Sequence, residues 1–218
     1  MNAIGSQFVL SNGAREALKW VALVLMTGDH VDAVFFGRSF GLLSEFGRIA
    51  MPLFAVVLAY NLCGRSEGQG IAAIRRLALI GALAQPFHAW AFGFALPVNI
   101  LFTYALGIAV YYTWRRSRWA ALVLLVIGGP WVDFQWSGVL LMAALLGYFS
   151  DRDVRWLWAV GAAMVGLCLY NGNTWALLAA PIVLVARHVD VQLPRWRWLF
   201  PAYYAGHLAL LAGLRFVI

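Results

Sequence analysis

LKWVALVLMTGDH, residues 18–30, decides the fold. An apolar run fit for a bilayer ends in Asp29 and His30 side by side. An ionised carboxylate at the centre of a lipid-embedded helix costs about 2.5–3.5 kcal/mol even on lenient insertion scales. Such a pair has two readings: a buried polar knot between helices, or a proton-handling pair in a membrane-embedded site. The adjacency of Asp and His favours the second.

The rest of the chain agrees with a membrane setting. Of 218 residues, 63% are hydrophobic and 11% charged, with mean hydropathy +0.79. A water-soluble core of this size has no means of hiding so much apolar surface, so the expectation is an all-α, polytopic helical bundle forming one domain, residues 1–218. No Pro/Gly/Ser-rich linker divides it, and residues 1–14 lack a basic leader and a cleavage motif, so the first apolar stretch is expected to stay as a signal anchor. The net charge of +7 is almost all arginine, which reads as cytoplasmic loops facing anionic lipid headgroups and not as nucleic-acid binding. Cys63 and Cys168 fall near opposite faces, too far apart for a disulfide and without metal-ligand spacing.

Hydropathy predicts nine helices, at 15–36, 46–62, 71–90, 98–114, 118–129, 136–149, 154–170, 173–188 and 196–216. The fifth and sixth are short for full spans, so tilted, thinned-membrane or re-entrant segments are expected there. With the N-terminus inside and the C-terminus outside, 13 of the 16 Lys and Arg fall on the cytoplasmic side, Arg197 among them; only Arg38, Arg48 and Arg215 lie outside.

Polar residues at membrane depth are the candidate site. Asp29 and Asp32 share a helical face, whereas His30 points about 100° from Asp29, so Asp29 is positioned for a residue of another helix. In the ninth helix, FPAYYAGH (200–207) stacks Tyr203 and His207 on one face and puts His207 near mid-membrane. Gly28 and Gly206 read as close-packing positions. Pro86 is expected to end or kink the third helix and leave His88 at the outer interface. Asn99 and Thr103 share a face of the fourth, by default as interhelical glue. Arg48 either pairs with Glu45 or aims inward, and Asp133 reads as a solvated outer turn. Arg75 and Arg76 at the inner mouth of the third helix follow the charge bias, and also suit bidentate phosphate binding. No glycine-rich phosphate loop, metalloprotease motif or Gly-x-Ser-x-Gly elbow is present, which removes the usual support for NTPase and hydrolase readings.

Taken in order, LKWVALVLMTGDH, FGRIAMPLFAVVLAY (46–60), IRRLALIGALAQPFH (74–88), VNILFTYALGI (98–108) and the aromatic run to His207 resemble the TraX family of pilin N-acetylases from conjugative transfer systems. The resemblance covers nearly the whole chain; Gly28 and Ala205 depart from the family pattern, which usually has a bulky apolar residue and a proline there. It implies a multi-pass bacterial inner-membrane acetyltransferase that moves acetyl from cytosolic acetyl-CoA to the N-terminal amine of a pilin or another membrane-presented acceptor. No metal is implied. Carried over to this chain, the pattern falls on Asp29, His30, Gly47, Arg48, Pro52, Arg75, Arg76, Gln85, Pro86, Asn99, Thr103 and His207, with His30, Asp29 and His207 catalytic and Arg75, Arg76, Asn99 and Thr103 contacting the acyl donor. In this scheme a neutral histidine takes the amine proton, Asp29 fixes its tautomer, and Tyr203, Asn99 or Thr103 steadies the oxyanion. The residues alone leave two rivals: a proton-coupled transporter in which Asp29 and His30 titrate, and a noncatalytic scaffold for appendage assembly.

Overall fold

A computed structural model describes residues 8–196 and 198–217; Arg197 lies outside the described residues. Among those described the chain is all-helical: α1 Asn12–Phe35, α2 Gly41–Gly47, α3 Ala50–Leu62, α4 Glu67–Phe92, α5 Ile100–Trp114, α6 Arg118–Gly128, α7 Gln135–Asp151, α8 Trp156–Asn171, α9 Ala179–Ala186 and α10 Leu199–Val217. Helix starts follow the capping residues. Ser11, Ser66, Asn99 and Ser117 each accept from a backbone N–H of the first turn, and Ser66 with Gln69 forms a capping box.

Contacts between chain ends show that the helices run back and forth between two ends of the bundle. One end joins the start of α1 to the end of α3 (Arg15 to Asn61), the start of α4 to the end of α5 (Arg116 to Glu67), and the end of α5 to the end of α7 and the start of α8 (Tyr111 to Asp151, Trp114 to Trp156). Phe149 packs on Phe8 and Tyr60 and ties these groups together, while Ser11 meets Val189 beyond α9 and Lys19 lies over Phe200 of α10. Most of the arginines sit at this arginine-rich end. The opposite end joins Val98 to Trp131, Phe134 to Tyr170, Phe46 to Trp175, and the ends of α4 and α10 through Arg215.

Four expectations are corrected. The helix expected at 46–62 is two, because the chain turns at Gly47–Ile49 and restarts with Pro52 in the first turn of α3, where its missing N–H costs nothing. The helix expected at 173–188 likewise opens as a 3-10 turn, Trp175–Leu178, before α9. Pro86 neither ends nor displaces its helix: α4 runs on to Phe92 and His88 is buried, 6% exposed. The turn between α6 and α7 reaches the opposite end beside Val98, so that pair crosses the full bundle instead of re-entering.

Two stretches, Gly41–Leu62 and Glu67–Phe92, are each long and apolar enough to cross a membrane. The outward faces of the shorter helices are apolar too, with Trp119, Val123 and Val126 of α6 and Trp158, Val165 and Leu169 of α8 exposed. Apolar patches of this extent are rare on soluble monomers and suit lipid. The core holds Leu18, Leu53, Ile108, Leu141, Met142, Leu146 and Leu208, with Ala and Gly where backbones approach. A Cβ on Gly107 would lie 2.5 Å from that of Met142, so glycine sets the α5–α7 separation.

Candidate functional site

A cavity of about 380 Å³ runs through the bundle between α1, α3, α4, α5 and α10. Lys19, Asn61 and Phe200 line it towards the arginine-rich end, and Asp29, Arg38, Arg48, Asp133 and Tyr170 towards the other. Its waist is apolar, walled by Met26, Phe54, Leu77, Ile80 and Leu101, with His30 and His88 facing in.

α1 and α10 bring two of the expected residues together: His30 Nδ1 lies 2.8 Å from His207 Nε2, and His207 Nδ1 lies 2.9 Å from the Tyr203 carbonyl oxygen. A carbonyl only accepts, so His207 Nδ1 carries the hydrogen. Neutral His207 then offers a lone pair at Nε2, which accepts from Nδ1–H of His30. By elimination the Nε2 of neutral His30 is unprotonated, and His30 is the member of the pair that lines the cavity. The same logic fixes Tyr203. Thr27 donates to Leu23 O at 2.8 Å, so the Tyr203 hydroxyl, 2.8 Å from Thr27 Oγ1, is the donor there. Its ring stacks on His207 and holds it in place.

Asp29 does not set this tautomer. Its partner is Arg38, whose Nη1 donates to Asp29 Oδ1 at 2.8 Å and reaches Ser44 Oγ at 3.2 Å. Ser44 in turn donates to Asp32, which is fully buried and also accepts from Phe40 N–H. Arg38 folds back onto α1 because Gly37 and Arg38 both take left-handed backbone conformations, φ 57° and 65°. The close approach is made by Gly47, where a Cβ would lie 2.3 Å from that of Asp29; at Gly28 it would meet only Leu43 at 3.5 Å, and at Gly206 open space.

Asn99 and Thr103 are fully buried, and neither lines the cavity. Asn99 caps α5 and donates to Gly81 O and Gln85 Oε1, while Thr103 donates to Asp133 O at 2.6 Å. Their donors are spent joining helices. Arg75 and Arg76 are exposed on α4, just beyond Leu77 of the cavity wall. The cation in the lining there is Lys19, paired at 2.6 Å with Glu16, which is 4% exposed.

Arg38, His88 and Asp133 line the cavity without having been read as site residues from the sequence, and Arg48, expected either to pair with Glu45 or to aim inward, takes the second course. Asp133 sits in the α6–α7 connection, and burial pushes its carboxyl up to about 6, opposed by the Phe134 N–H and the nearby Arg48 guanidinium. The cue available for it was a lone carboxylate inside an otherwise uncharged aromatic break, GGPWVDFQW. Among the described residues no group of three or more His, Cys, Asp or Glu gathers as a metal site.

The family model described as TraX protein matches residues 14–215. Protein TraX of Escherichia coli is 33% identical over 228 residues, covering 96% of this chain and 90% of that protein. Protein TraX of E. coli strain K12 is 32% identical over the same shares. Uncharacterized protein RP591 of Rickettsia prowazekii (strain Madrid E) is 22% identical over 148 residues, 64% of this chain and 56% of its own length. No solved structure matches.

Proposed function

The chain belongs to the TraX family, and from that premise we propose that it is a multi-pass inner-membrane acetyltransferase, moving acetyl from acetyl-CoA to an amine presented at the opposite face, the N-terminal amine of a pilin in a conjugative system. One observation carries this reading: a cavity runs through the bundle, and His30, whose Nε2 is unprotonated by elimination, lines it midway.

Nine crossings with the arginine-rich end in the cytoplasm follow the positive-inside rule. The apolar waist of the cavity does not admit the CoA phosphates. Arg75 and Arg76, exposed at its cytoplasmic end, would hold those of CoA at the surface while the thin pantetheine arm enters between Leu77 and Phe54. The acceptor amine comes from the other end. As its nitrogen attacks the thioester carbonyl, the C–N bond forms, His30 Nε2 takes the proton, and the C–S bond breaks to release CoA thiolate, which is protonated from water. The imidazolium is steadied through its Nδ1–H by His207, itself locked by the Tyr203 carbonyl. Asp29 acts at a distance from this relay, holding Arg38 and the chain across the outer mouth.

The test is to incubate the purified protein with labelled acetyl-CoA and candidate pilin peptides and to read acceptor mass. Acetylated peptide is expected; hydrolysis alone, or no turnover with any amine, would sink the reading.

A further inference from the structure

Arg48 is the one cation of the cavity's outer half that closes no ion pair; the Asp133 carboxyl is near enough to feel its charge but forms no salt bridge with it. It enters the lining from the junction of α2 and α3, its Nε is buried without an acceptor, and among the described residues it forms no ion pair. Glu45, one turn earlier, meets it only through backbone, Arg48 N–H to Glu45 O at 3.1 Å. Asp29 is held by Arg38, and Asp32 by Ser44 and the Phe40 N–H. Asp133 accepts from Phe134 N–H without closing an ion pair on Arg48. A second buried polar atom, His88 Nδ1, is also unpaired and belongs to the same cavity wall. Buried guanidinium groups are ordinarily paired, because stripping one of water without compensation is strongly unfavourable.

We propose that Arg48 is the anchor of an oxyanion-binding site in the outer half of the cavity, taking a phosphate or carboxylate group from a ligand that enters there, with His88 as a second polar contact. Guanidinium presents a planar fork of donors that matches such groups. The site does not depend on acetyl transfer, so binding and turnover are read separately. The shared chemistry has two sources, a lipid headgroup or a soluble anion.

The experiment is a thermal-melting titration of the detergent-purified protein with inorganic phosphate in one arm and phosphatidylglycerol in the other, for wild type, R48K and R48Q. A rise in wild-type melting temperature is expected in at least one arm: with phosphate for a soluble source, with phosphatidylglycerol alone for a lipid headgroup. R48Q should bind at least about tenfold more weakly, the loss of one charge-assisted contact, with R48K between. Without ligand, R48Q should melt at or above the wild-type temperature, since it removes a half-buried cation that closes no ion pair. The proposal is overturned if neither anion shifts the wild type, if R48Q responds equally, or if ligand-free R48Q melts well below wild type, which would make Arg48 a structural residue.

Discussion

Two backbone carbonyls, of Leu23 and Tyr203, set the hydrogen positions of the His30 wall, because each can only accept. This makes the two histidines unequal. His30→Ala is expected to lower kcat/KM for acetyl transfer by about 10²–10⁴-fold, the usual worth of a general base. His207→Phe should cost less and shift the pH–rate profile, and His207→Gln, whose amide oxygen can accept from His30 Nδ1, should recover part of the loss. Equal effects of all three would show that the relay is not in use. Asp133 gives a stability prediction. Its carboxyl, raised to about 6 in the folded protein against 3.8 unfolded, holds a proton that the unfolded chain has already lost. Wild-type stability should therefore fall as pH rises from about 4 to about 6 and then level off. Asp133→Asn should flatten that slope and be the more stable form at pH 7.5, by on the order of 1–2 kcal/mol after screening by cavity water, as read from melting curves across pH.

At the scale of elements, the sequence showed most of the helices and the meeting of the first with the last, because apolar runs, charge bias and the spacing of Tyr203 and His207 are local signals. What it hid depends on backbone direction. Arg38 reaches Asp29 through a left-handed Gly37–Arg38 turn, His88 stays inside because α4 continues through Pro86, and the α2–α3 break follows from contact with α1. Glycine roles were hidden for the same reason: spacing cannot tell an open glycine from one pressed against a neighbour. Gly47→Ala should therefore cost about 1–3 kcal/mol by pushing α2 off Asp29, whereas Gly28→Ala, with only Leu43 at 3.5 Å, should be tolerated. Melting temperatures of the two variants decide this, and similar values would remove Gly47 from its assigned role.

At the scale of the molecule, acetyl transfer as proposed requires that the two ends of the cavity face different compartments. The arginine-rich end carries Arg116, exposed and paired with Glu67, and the opposite end carries Ala95 in the exposed α4–α5 connection, where its carbonyl accepts from Gln85. In a background with Cys63 and Cys168 replaced by serine, Arg116→Cys should react with an impermeant maleimide only from the cytoplasmic side, and Ala95→Cys only from the periplasmic side. Reversed labelling would invert the orientation and put acetyl-CoA at the wrong mouth. Labelling of both from one side would mean that α4 and α5 do not cross, and a cavity walled by both helices would then have no route between compartments. With the expected pattern, inverted vesicles given external acetyl-CoA should acetylate acceptor enclosed in the lumen, while right-side-out vesicles given the same donor externally should not.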